Sequence, residues 1–67
     1  MISARNQFKG KVKTIKLGAV MAEVIVEVGS MEIVSLISRT SAETLALKVG
    51  DTVTAIIKST EVMVAKD

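Results

Sequence analysis

Sixty-seven residues make one domain, 1–67, with no room for a second. The chain has no Cys and no His, which excludes a disulfide framework, the usual zinc site and any triad that needs a thiol or an imidazole. Nine Lys and Arg against seven Asp and Glu leave a net charge of +2, too mild for a polyanion binder that works by counterion release, yet compatible with a small anion.

Apolar residues make up 49% of the chain, more than one small core hides. A domain this short buries only about 60% of the surface its unfolded chain exposes. Below roughly 70–80 residues chains add disulfides, a metal or self-association; with Cys and His absent, a homo-oligomer is the expected remedy. No stretch approaches the ~20 apolar residues of a membrane helix, and the start carries no signal-peptide pattern, so a soluble, cytoplasmic protein without membrane contact is expected.

Taken in order, Gln7–Thr14 alternates strictly, with Phe8, Gly10, Val12 and Thr14 on one face and Gln7, Lys9, Lys11 and Lys13 on the other. That period of two predicts a half-buried strand, and Gly10 within it predicts a bulge or a close backbone approach. The lysine row suits a solvated strand face that blocks aggregation, or a nucleic-acid stripe. After a turn at Leu17-Gly18-Ala19, a second strand runs from Val20 to Val28, its core face formed by Val20, Ala22, Val24, Val26 and Val28. Met21, Glu23, Ile25 and Glu27 share the other face, where the two carboxylates are expected to meet solvent, without a catalytic role.

Gly29-Ser30 predicts a two-residue hairpin loop, followed by a third strand, Met31–Ser38, that is apolar on both faces. Thr40-Ser41-Ala42-Glu43 has the capping-box pattern, with Thr40 as N-cap and Glu43 three residues on, and Gly50 is the expected stop of one short helix. The hydroxyls of Ser38, Thr40 and Ser41 at its start serve either as simple caps or as anion contacts. Thr52–Lys58 and Glu61–Ala65 complete the set as two strands joined by a bend at Lys58-Ser59-Thr60. The predicted fold is therefore all-β, a small five-stranded OB-like barrel with one short helix between the third and fourth strands.

No Gly-rich phosphate loop, dinucleotide fingerprint or carboxylate cluster is present, so the sequence offers no enzyme and no organic cofactor site. OB-like barrels also bind single-stranded nucleic acid, the alternative reading, but they stack bases on aromatic platforms worth about 1–3 kcal/mol each. One Phe and no Tyr or Trp leave that reading without its main energy source. What remains is a donor set: Ser3 and Arg5 near one end, Lys58 and Ser59 near the other. Arg and Lys only donate hydrogen bonds, Ser can donate one, and charge-assisted bonds are roughly twice as strong as neutral ones. Such groups suit a compact oxyanion, unless Arg5 and Lys58 merely pair with a surface acid such as Glu61.

Ser-Ala-Arg-Asn-Gln-Phe-Lys-Gly-Lys-Val at 3–12, Val-Met-Ala-Glu-Val at 20–24, Ser-Arg-Thr-Ser-Ala-Glu-Thr-Leu at 38–45, Val-Gly-Asp at 49–51 and Ala-Ile-Ile-Lys-Ser-Thr at 55–60 together resemble the molbindins, the small molybdate-binding Mop proteins, over essentially the full length. The resemblance implies an OB-like barrel assembled as a hexamer, a trimer of dimers, that binds molybdate or tungstate at subunit interfaces for intracellular storage and homeostasis. It implies Ser3, Arg5, Ser38, Ser41, Lys58 and Ser59 as oxyanion ligands, with backbone from Ala4, and a second site for which Asn6 and Thr60 are the candidates. Ser38 departs from the Thr common in the family; the hydroxyl is kept and the packing changed.

Overall fold

The computed structural model describes residues 4–67; Ser3, one of the expected ligands, lies outside the described residues. Asn6–Leu17 form β1, Met21–Val28 form β2, Met31–Ser38 form β3, Arg39–Thr44 form the helix α1, and Thr52–Ile57 form β4, before a single 3-10 turn at Ser59–Glu61. The strands make one four-stranded sheet in the order β3-β2-β1-β4, with every neighbouring pair antiparallel. The closed five-stranded barrel expected from the sequence is thus not formed. The expected fifth strand, Glu61–Ala65, pairs with nothing among the described residues, because a strand needs a neighbour and β4 is followed by the 3-10 turn, not by a hairpin.

The sheet is organised around β1. Its first half pairs with β4, from Asn6 opposite Ile57 to Lys11 opposite Thr52; its second half pairs with β2, from Lys11 opposite Glu27 to Leu17 opposite Ala22. Gly10 stands one position before Lys11, which faces both partners. A Cβ there would lie 2.8 Å from Val28 Cγ2 and closer still to the Glu27 carbonyl oxygen, so Gly10 marks a close backbone approach, one of the two roles expected of it.

The bulge lies further on, between Val12 and Thr14. One extra residue flips the alternation, so that Ile15, half-buried, takes the inward position expected for Thr14, which is exposed. In β2 the expected core face holds from Ala22 to Val28, but Val20 precedes the strand and is exposed. Val12, Val24 and Val26 are 2–4% exposed and form the core, with Ile15, Val28, Ile37, Leu47, Val53 and Ala55 packed around them. The Gly29-Ser30 hairpin forms as expected, with Gly29 at φ 58° joining the Val28–Met31 pair.

The helix starts two residues earlier than the capping-box pattern predicts. Ser38, not Thr40, is the N-cap: its Oγ accepts from the Ser41 N–H, in place of the expected partnership of Thr40 with Glu43. Strand β3 runs directly into this cap, and the Arg39 N–H is held by the Val20 carbonyl at 2.8 Å, which fixes where the chain turns. The end is also earlier. The Ala46 N–H bonds to the Glu43 carbonyl and the Leu47 N–H to the Ala42 carbonyl, a Schellman arrangement with Ala46 at φ 51°, so the helix stops there and not at Gly50.

Candidate functional site

The ladder between β1 and β4 begins at Asn6–Ile57, so Arg5 and Lys58 stand one position beyond the same rung, just outside the ends of two adjacent strands at one end of the sheet. Two segments more than fifty positions apart are joined because the connection through α1 carries the chain from β3, on one edge, to β4, on the far side of β1. Both side chains belong to exposed residues. The ion pairs among the described residues are Lys13 with Glu27 and Glu32, and Arg39 with Glu43, so the pairing of Arg5 or Lys58 with Glu61 is not made. Lys13, by contrast, is held by a hydrogen bond and ion pair from Glu32, which raise its pKa above the ordinary lysine value.

The backbone before β1 is fixed locally. Gln7 Nε2 donates to the Ala4 carbonyl at 2.7 Å and the Gln7 N–H to the Arg5 carbonyl at 3.1 Å. With these carbonyls occupied, the segment turns its acceptors inward on itself and leaves the Arg5 guanidinium as the charged group it presents. Gln7 was missed as a positioning residue, since on the alternating pattern it reads only as a solvated member of the lysine face. Across the rung, the Glu61 N–H closes onto the Lys58 carbonyl at 2.9 Å, and this turn sets Ser59 and Thr60 beside Lys58.

Ser38 and Ser41 stand elsewhere. Ser38 is opposite Met21, at the end of the sheet where β1 reaches Leu17, whereas Arg5 precedes the start of the 12-residue β1. Register therefore separates the hydroxyl pair from the cation pair by the full length of that strand. The hydroxyls are also partly committed: Ser38 Oγ accepts from the Ser41 N–H at 3.0 Å and donates to Ser41 Oγ at 2.8 Å. That leaves the Ser41 O–H as the donor still available to a ligand. Arg39, the nearest cation, is spent on the Gly18 carbonyl and the Glu43 carboxylate, so it anchors the helix to the β1–β2 turn.

Of the expected ligands, then, the fold sets the segments Ala4-Arg5 and Lys58-Ser59 at neighbouring strand ends, with the second-site candidates Asn6 and Thr60 next to them in the chain, and sets Ser38 and Ser41 at the other end of β1. A cleft of about 750 Å³ runs between β3 and β4, with Lys58 and Glu61 on its wall. Glu61 places a carboxylate near the cationic end, where the donor-only reading expects none. Among the described residues there is no cluster of three or more His, Cys, Asp or Glu suited to a metal cation.

The TOBE domain model matches residues 2–64 of this chain. The chain is 53% identical over 64 residues to molybdenum-pterin-binding protein 3 of Clostridium pasteurianum, a match covering 94% of each. In three dimensions it is similar to a molybdate-binding protein of Sporomusa ovata, with a TM-score of 0.95, 41% identity and 98% of each chain covered. It is likewise similar to MopII of Clostridium pasteurianum, with a TM-score of 0.93, 51% identity and coverage of 98% of this chain and all of that one. On the motifs, the fold and these likenesses together, the chain belongs to the TOBE domain family, within its molbindin (Mop) group.

Proposed function

We propose that this chain, as one domain over 1–67, binds molybdate or tungstate intact as a tetrahedral oxyanion, in cages shared between copies of itself, and holds the anion in store within the cytoplasm. The relatives named for molybdenum-pterin and molybdate binding support the ligand class. The single observation that carries the reading is the pair Arg5 and Lys58, each one position beyond the same rung of adjacent strands, with no acid bonded to either among the described residues. Two cations on neighbouring strands repel unless a counter-charge sits between them, and a dianion supplies it.

The cation pair and the Ser38–Ser41 hydroxyl pair lie at opposite ends of β1, so a cage using both takes one half from each of two copies. This is the physical content of an interface site, and it fits the hexamer, a trimer of dimers, that the family resemblance implies. Every group in the cage donates, which suits an anion that carries no proton near neutral pH. Sulfate has the same charge and shape, so discrimination rests on the size of the cage.

Nucleic acid is not favoured. Phe8, the chain's one aromatic residue, is half-buried opposite Ala55 and is no stacking platform. Calorimetric titration with sodium molybdate, with sulfate as control, tests the reading. Molybdate heat should appear in the parent chain and fall at least tenfold in affinity for Arg5→Ala and for Lys58→Ala, about 1.4 kcal/mol each. Equal affinity in parent and variants would remove the proposal.

A further inference from the structure

Among the described residues, the hydrogen bonds that tie the Ala4-Arg5 segment to the fold come from one residue. Gln7 Nε2 donates to the Ala4 carbonyl at 2.7 Å, and the Gln7 N–H donates to the Arg5 carbonyl at 3.1 Å. A carbonyl only accepts, so chemistry fixes the orientation of the amide, with its nitrogen toward Ala4. In an extended chain Ala4 and Gln7 would stand about 10 Å apart, more than a glutamine side chain spans. The contact therefore means that the backbone folds back at Arg5-Asn6, where β1 begins. Arg5 lies beyond the last rung of the ladder with β4, so its place depends on these two bonds.

We propose that Gln7 is the positioning residue of the cationic strand ends: its side-chain amide clamps the Ala4 carbonyl, and so holds Arg5 where it meets an oxyanion shared with Lys58. A free backbone must be ordered when a ligand binds, at a cost in entropy that comes out of the affinity; the clamp orders it beforehand. Pairing does not explain the amide, because Gln7 is exposed and faces Ile56, itself exposed, across the ladder, a place where a β-branched or aromatic partner packs better. Charge explains it. An amide donates while staying neutral, whereas a glutamate here would have no hydrogen for the carbonyl and would offer Arg5 a carboxylate that competes with the anion. Gln7 is accordingly the neutral member of a face that continues with Lys9, Lys11 and Lys13.

The clamp stands on the two Gln7 bonds alone; only its ligand rests on the oxyanion reading given above. The test compares the full chain with Gln7→Met, which keeps the length of the side chain and loses its donor. In molybdate-free buffer, amide nitrogen relaxation should give Arg5 an order parameter of about 0.85 in the parent and below about 0.6 in Gln7→Met. The melting temperature should stay within about 4 °C, since no core contact is removed. Calorimetric titration with sodium molybdate should show an affinity about three- to tenfold lower in the variant. Added to Arg5→Ala, the same substitution should cost less than about twofold, and added to Lys58→Ala the full factor again, because it acts through Arg5. A glutamine with only a structural role would weaken all three backgrounds alike. An Arg5 amide as ordered in the variant as in the parent overturns the clamp. Loosening without loss of affinity, or the full loss repeated in Arg5→Ala, overturns the positioning role. A parent chain that gives no molybdate heat, with Arg5 loosened in the variant, removes the oxyanion reading and upholds the clamp.

Discussion

Gly10 and Val28 touch where β1 leaves β4 for β2: a Cβ on Gly10 would sit 2.8 Å from Val28 Cγ2 and nearer yet to the Glu27 carbonyl. The closest obstacle is backbone, which cannot rotate away as a side chain can. Gly10→Ala should therefore cost about 3 kcal/mol, the upper part of the range for overpacking. On the scale of a small domain that is a fall in Tm of roughly 12–24 °C. A scan showing less than about 4 °C of loss would mean that the close approach of β1 to β2 yields to a methyl group.

Ala46 gives the opposite expectation. It closes α1 with φ 51°, a conformation that crowds a Cβ, while its N–H keeps the bond to the Glu43 carbonyl. Ala46→Gly removes the crowding but adds freedom to the unfolded chain, so the gain is the difference, roughly 0.5–1 kcal/mol. Denaturant unfolding at fixed protein concentration should show a higher midpoint with the slope unchanged. A lower midpoint would contradict the strain assigned to this position.

Ser38 and Ser41 separate a structural hydroxyl from a binding one. Ser38 Oγ takes the Ser41 N–H, so Ser38→Ala should lose about 1 kcal/mol as a helix cap, and Ser38→Thr, with its oxygen kept, much less. Ser41→Ala leaves that cap bond in place and deletes the O–H that remains free to donate, together with the exposed oxygen that accepts from the Ser38 hydroxyl, which can turn to water instead. It should melt near the parent temperature yet bind molybdate more weakly. If Ser41→Ala binds as the parent does, the hydroxyl end contributes nothing to the cage.

How far these features could be read from the residues depends on how local their causes are. The alternation of β2 from Ala22 to Val28 is a run of near-neighbour choices, and it was legible in full. The bulge at Lys13 was not, because Lys-Val-Lys-Thr-Ile-Lys fits either parity and only pairing with β2 decides that Ile15 turns inward. Ser38 and Thr40 offer equally good capping oxygens, and the tether from Arg39 N to the Val20 carbonyl, nineteen positions back, selects the first. Val62–Ala65 has the pattern of a strand but no neighbour among the described residues, for sequence periodicity reports a face and not a partner. The nearness of Arg5 and Lys58 follows from β1 lying beside β4, and no spacing along the chain encodes it.

Glu61 offers the sharpest electrostatic check on the cage. It stands three residues after Lys58, on the wall of the same cleft, and makes no ion pair among the described residues. A carboxylate there repels an incoming dianion without being needed to neutralise Lys58. Glu61→Gln keeps the size of the side chain and removes the charge, so molybdate affinity should rise, by roughly three- to tenfold for a separation of about 6–12 Å in a water-like dielectric of about 80. The gain should shrink as ionic strength increases, because salt screens charges separated by more than about 8–10 Å. Light scattering alongside the titration confirms that the variant assembles as the parent does. Affinity that stays level or falls at low salt would show that the anion does not approach Lys58 from this cleft.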